Sequence, residues 1–153
     1  MDILKVLSSP VGLVFPGQGS QYVGMGKQLY EVSPVARKFF EQADAALGFS
    51  LSQLCFHGPK EDLDDTINAQ PAILTVSVAG LEALKERMAA LGHEFRPHIA
   101  AGHSLGQYTA MVVSRMLPFE EAVRLVYERG RLMKESASHR PGGMAAVIGL
   151  DEH

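Results

Sequence analysis

Apolar and polar positions along this chain follow two different periods, and the switches between them mark its elements. Val11-Gly12-Leu13-Val14-Phe15 is a short continuous apolar run, the form of a buried strand. It stops at Pro16-Gly17-Gln18-Gly19-Ser20-Gln21, a turn-forming cluster that no regular element absorbs. Helical spacing follows: Ser33-Pro34 caps a helix in which Val35, Ala36, Phe39, Phe40, Ala43 and Leu47 fall on one face, with Gly48 as its stop. From Ser50 to Asn68 the pattern is irregular and is broken at Gly58-Pro59. Gln70-Pro71 is expected to open the next helix, with Ile73, Leu74, Val76, Leu81, Leu84, Met88 and Leu91 burying a broad face and Gly92 ending it. Ile99-Ala100-Ala101 reads as a second buried strand, and Tyr108 to Val113 as a helix that packs back on it. Pro118 with Glu120-Glu121 begins a last helix, through about Lys134, its acidic pair suited to the positive end of the dipole. After Pro141-Gly142-Gly143 the stretch Met144 to Leu150 is again strand-like. Strands alternating with helices predict an α/β protein.

Between the second strand and its helix stands Gly102-His103-Ser104-Leu105-Gly106, a serine between two glycines in the form of a nucleophile elbow. The sharp turn exposes the serine oxygen, and a side chain at either glycine would crowd the neighbouring strand and helix. Ser104 is therefore the candidate nucleophile, and the Leu105 amide at the helix start is placed to face an oxyanion.

The last helix holds the second chemical signal. At about 100° per residue, Ala122, Leu125, Val126, Leu132 and Met133 define its inner face, with Arg129 in the middle of that stripe and Arg124 and Arg131 outside it. An arginine among core positions is costly unless it meets a carboxylate or phosphate. Two readings stay open, a structural ion pair and an anionic ligand, and a cleft beside a candidate nucleophile favours the ligand. The 16–21 loop fits neither phosphate-binding glycine pattern. It is either a plain turn or a close-approach loop that presents Gln18. Gln70, at its expected helix mouth, either caps the helix or reaches a ligand, and the cap is favoured. Glu61-Asp62 and Asp64-Asp65 read as a solvated face or helix-start charges rather than a metal site.

Composition narrows the classes. In 153 residues, 46% hydrophobic and 20% charged, there is material for one core. A net charge of -3 without a basic cluster argues against nucleic acid as the main partner. Met1 to Leu7 meets an acidic residue at once and lacks the form of a signal peptide, and nothing in the pattern demands a membrane. Cys55, the single cysteine, cannot form an intrachain disulfide and reads as a small core residue, so a reducing cytosol fits. His93 and His98 read as surface residues.

Taken together and in this order, Pro16-Gly17-Gln18-Gly19-Ser20-Gln21, Gln70-Pro71-Ala72, Gly102-His103-Ser104-Leu105-Gly106 and Arg129-Gly130 resemble the malonyl-CoA:acyl carrier protein transacylase family of bacterial fatty acid synthesis. The resemblance runs from about Val11 to the end. It implies an α/β-hydrolase-like core with a parallel sheet and nucleophile elbow over residues 1–141, and the first strand of an incomplete ferredoxin-like subdomain over 142–153. By that resemblance Ser104 carries malonyl as an ester between malonyl-CoA and the phosphopantetheine thiol of acyl carrier protein. Gln18 and Leu105 supply oxyanion-hole amides, Arg129 holds the malonyl carboxylate, Gln70 lines the site, and His103 stands beside the nucleophile. No cofactor or metal is implied, and the compartment is the cytoplasm. Gln107 departs from the glutamate common at its place.

Family members continue for about as much chain again, with the catalytic histidine and its orienting partner in that part. No histidine here matches that base by position, and His139 and His153 lie in segments too loose to rank as substitutes. The expectation is a chain that holds the site's first half and is inactive, or nearly so, alone. Two rivals remain: a serine hydrolase or thioesterase using the same elbow, and an inactive remnant that binds acyl carrier protein or coenzyme A.

Overall fold

A computed structural model describes residues 10–139 of the chain. The Met1 to Leu7 start, the Met144 to Leu150 strand, the 142–153 subdomain and His153 lie outside the described residues.

Strand β1 (Gly12–Phe15) enters the glycine-rich loop, which leads to helix α1 (Lys27–Val32). Helix α2 (Pro34–Leu47) starts as its sequence dictates: Ser33 accepts from the Ala36 amide at 3.1 Å, proline follows, and Gly48 at φ 77° ends it. The irregular stretch resolves into two short helices, α3 (Leu51–His57) and α4 (Lys60–Asp64). Phe40, Phe56 and Tyr30 meet there, with ring centroids 5.1–5.8 Å apart, and Cys55 is fully buried beside them.

The long helix α5 (Thr66–Ala90) runs through the centre and corrects the expected start. Asp65 caps it, accepting from the Ile67 amide at 3.1 Å, so Pro71 lies inside the helix and Gln70 is in its second turn. Proline there costs one internal hydrogen bond. The cap and the burial of Ala72, Ile73, Leu74, Val78 and Ala79 outweigh that loss. Gln70 therefore caps nothing and is fully buried. Leu84 and Leu91, expected in the buried face, are exposed toward the helix end. By length and composition α5 is apolar enough to cross a membrane, but more than half of its apolar window is buried within this fold.

Strand β2 (Ile99–Gly102) pairs in parallel with β1, Gly12 opposite Ile99 and Phe15 opposite Gly102. Both strands were expected to be buried, yet Val14 is 82% exposed and Ile99 69%. Helix α6 (Gly106–Val113) covers one face of the pair, and the other is open among the described residues.

Helix α7 (Phe119–His139) runs beyond its expected end and turns a different face inward. Ala122, Val123, Val126 and Gly130 are buried, whereas Leu125 is 46% and Leu132 51% exposed. Gly130 sets this line. A Cβ there would lie 2.5 Å from the Thr66 carbonyl oxygen, so α7 approaches α5 along the small-residue row 122, 126 and 130. Arg129 accordingly sits half-buried at the edge of the contact and not in its middle.

Candidate active site

The turn from β2 to α6 is built by two glycines that admit no side chain. A Cβ on Gly102 would lie 1.9 Å from the Gly106 carbonyl carbon, and one on Gly106 would lie 2.3 Å from the Phe15 carbonyl oxygen. Backbone packs directly on backbone, and Ser104 between them takes φ 50°, in the left-handed region that non-glycine residues seldom occupy. The turn is closed by the His103 amide on the Phe15 carbonyl at 3.2 Å and the Gly106 amide on the His103 carbonyl at 2.8 Å. Ser104 is left exposed, while the neighbouring Leu105 side chain is fully buried and pins the start of α6.

Hydrogen bonds lead outward from the serine through residues far apart in sequence. Arg129 Nη2 donates to Ser104 Oγ at 3.1 Å, and its Nη1 donates to Gln70 Oε1. Gln70 Nε2 donates to Thr66 Oγ1 at 3.0 Å and lies 3.5 Å from Met133 Sδ. Thr66 Oγ1 donates to Gln18 Oε1 at 2.9 Å. The guanidinium carbon also stands 5.7 Å from the centroid of the Tyr108 ring. Of the two readings of Arg129, the ion pair is not found: among the described residues its hydrogen-bond partners are neutral side chains. Its guanidinium thus lies against an exposed hydroxyl with no carboxylate on it among the described residues.

The glycine-rich loop packs on the serine turn at Gly17, while Gly19 has open space around it. A Cβ on Gly17 would lie 2.8 Å from His103 Nδ1 and 2.9 Å from the His103 carbonyl oxygen, which brings the loop against the serine turn. Ser20 Oγ donates to the Gly17 carbonyl at 2.8 Å, and the Gly19 amide to Gln21 Oε1 at 2.8 Å. Gln21 Nε2 in turn donates to Asp64 Oδ1 at 2.9 Å. The backbone amides of Gln18 and Leu105 donate to no acceptor among the described residues.

The acidic stretch is structural. Hydrogen bonds from Lys60 and then Gln21 hold the Asp64 carboxyl below the usual carboxylate range. Burial works against ionisation of Asp65, but its bonds to Lys134 and to the Ile67 amide prevail and keep it low. Burial, aided by Asp44, pushes the Cys55 thiol up to about 12, so it stays a thiol and is no rival nucleophile. His103 is exposed and does not hydrogen-bond Ser104, and neither do His57, His93 and His98. His98 is exposed, as expected; its amide extends the strand pairing by donating to the Val11 carbonyl at 2.8 Å. An open cleft of about 530 Å³ between Phe49, His57, Asn68 and Tyr127 shares no residue with the serine network.

Sequence reasoning singled out Ser104, Arg129, Gln70, Gln18, Leu105 and His103; hydrogen bonds join the first four, Gln18 through its side chain and not its amide, and leave Leu105 and His103 outside the network. It missed Thr66 and Tyr108. Thr66 lies one helical turn before Gln70, which is the signal that points to it; Tyr108 meets Arg129 only through the tertiary fold.

A parallel strand pair, a serine at positive φ between strand and helix, and an arginine lying on that serine define an α/β chain with a serine and an arginine side by side. Residues 13–152 match the acyl transferase domain family, and the chain belongs to that family. It is similar to the malonyl CoA-acyl carrier protein transacylase of Bacillus subtilis (strain 168), 47% identical over 143 residues, which are 94% of this chain and 43% of that relative. Among solved structures, the malonyl CoA-acyl carrier protein transacylase from Coxiella burnetii matches with TM-score 0.75 and 45% identity over 84% of this chain and 39% of that one. A type II PKS acyl-carrier protein in complex with its malonyl-transacylase matches with TM-score 0.77 and 41% identity over 84% and 40% of the two chains. The chain spans less than half the length of these relatives.

Proposed function

We propose that this chain carries the acyl-binding half of a malonyl transferase site, which moves malonyl from malonyl-CoA to the thiol of an acyl carrier protein through an ester on Ser104. The observation that carries the reading is the 3.1 Å contact between Arg129 and Ser104 Oγ. In a malonyl thioester one methylene separates the carboxylate from the reacting carbonyl, so a nucleophile and a carboxylate-binding group for it must stand side by side. A bidentate contact with Arg129 would hold the carboxylate while Ser104 Oγ reaches the carbonyl carbon. Gln70, accepting from Nη1, orients the guanidinium. The turn from β2 to α6 serves as the nucleophile elbow, and the free amides of Gln18 and Leu105 would receive the oxyanion.

The steps balance as two acyl transfers. Ser104 Oγ bonds to the malonyl carbonyl, the carbon–sulfur bond breaks, and coenzyme A leaves with the proton that the serine gives up. The carrier thiol then bonds to the malonyl carbonyl, the ester carbon–oxygen bond breaks, and the thiol's own proton passes to Ser104 Oγ. That proton needs a base, and by the family resemblance it is a histidine in the part of the fold beyond this chain's match. Without one, Ser104 is a weak nucleophile. No cofactor is called for. An arginine placed on the nucleophile favours an acid-bearing acyl group over a neutral one.

Intact-protein mass spectrometry after incubation with malonyl-CoA tests this. A single malonyl adduct is expected, formed slowly, hastened by added imidazole acting as external base, and lost in Ser104→Ala. Equal labelling by acetyl-CoA and malonyl-CoA, unchanged in Arg129→Ala, would refute the assignment of the arginine.

A further inference from the structure

The hydroxyl of Thr66 is the group that touches both arms of the site. It accepts from Gln70 Nε2 at 3.0 Å, so its single proton is free to point the other way, to Gln18 Oε1 at 2.9 Å. The direction of every bond in the chain follows from this. With Nε2 committed to Thr66, the Gln70 amide can present only its oxygen to Arg129, which has only donors. A flipped Gln70 would set N–H against N–H. Because Gln70 is fully buried, water cannot relieve that, and Met133 sulfur is a weak substitute acceptor.

The Thr66 backbone constrains the same residues. Its carbonyl oxygen fills the space where Gly130 would carry a Cβ, which fixes the approach of α7 one residue from Arg129. Two residues before Thr66, Asp64 holds the glycine-rich loop a second time through Gln21. Removal of the Thr66 hydroxyl therefore frees Gln18 without releasing the loop.

We propose that Thr66 is a positioning residue that couples the carboxylate-reading arm, Arg129 and Gln70, to the loop that presents Gln18. The proposal rests on the reading of the site given above. Through Thr66, the geometry adopted by Arg129 reaches the side chain of Gln18, the residue whose backbone amide would receive the oxyanion, and a directional chain of hydrogen bonds strengthens each member.

Two variants separate this from a packing role: Thr66→Val keeps the shape and removes the hydroxyl, and Thr66→Ser keeps the hydroxyl. Proton–nitrogen NMR of the chain reads the Gln18 backbone amide, the Gln70 side-chain amide and Arg129 Nε–H, and titrations with malonate and acetate read the anion site. Thr66→Val is expected to shift all three signals and to weaken malonate about 3- to 10-fold, the worth of one hydrogen bond, while Thr66→Ser restores both. Arg129→Ala should move the Gln18 signal in the parent chain and leave it in place on the Thr66→Val background, since the link is already cut. Unmoved Gln18 and Arg129 signals in Thr66→Val overturn the proposal. So does a Thr66→Ser variant as impaired as Thr66→Val at the parent melting temperature. Malonate binding that survives Arg129→Ala would instead refute the carboxylate reading, and the Gln18 signal would still report on Thr66.

Discussion

The helical side and the sheet side of this chain start from equally apolar sequence and end in opposite conditions. Around α2, α3 and α5 the apolar face is closed: Phe40, Leu51, Leu63 and Leu74 are fully buried and aromatic rings interlock. On the strand pair, Val14 and Ile99 face outward on a surface that no described residue covers. The serine turn sits on the border, held by the closed side through Leu105 and reached by α7 through Arg129. Among the described residues, the contacts that arrange the site come from the helices and from one tight backbone crossing.

The sharpest way to break that comparison is Phe40→Ala, expected to cost about 3–5 kcal/mol in chemical denaturation, as a large cavity opens in the closed core. If it cost no more than a substitution on the open sheet face, the helical side would not be the seat of stability. Next comes Gly102→Ala at the border. Its Cβ would meet the backbone of Gly106, so the strand and helix must separate, at about 3 kcal/mol and with loss of the native Ser104 signals by NMR. Unchanged stability there would deny the crossing its role.

Asp65→Asn probes the polar rim of the closed side. Asparagine still caps α5, so the variant removes only the charge facing Lys134, at up to about 1 kcal/mol near neutral pH. The Asp65 pKa is lowered in the folded chain, so its contribution is complete above the ordinary carboxylate range and is lost as pH falls through the lowered value. Melting temperatures of parent and variant should converge in acid; a gap that widens in acid contradicts the sign. The smallest effect is expected from Val14→Ser, within about 0.5 kcal/mol, because the side chain is exposed before and after.

Much of the fold was legible because local rules decide it. The Ser33-Pro34 cap, the Gly48 stop, the glycine-rich loop and the serine turn each depend on residues a few positions apart. The start of α5 was misplaced because a proline suited to a first turn lay in the second, and the stronger signal was the Asp65 cap that precedes it. Leu125 and Leu132 were assigned to the wrong face for another reason. A helical wheel groups residues by angle, but the line of contact was chosen by Gly130 against the Thr66 backbone, 64 positions away in sequence.

By itself the sequence determined the order of elements, the strained serine turn and the set of polar residues worth watching, all products of short-range sterics, capping and periodicity. Only the tertiary structure decided which of them meet. Ser104 and Arg129 are 25 residues apart, Gln70 and Arg129 59, and Gln18 and Thr66 48. A hydrogen bond needs its partners within about 3 Å and in one direction, and no periodic pattern contains that information. It comes from how closely α7 packs on α5, and that distance was set by a glycine.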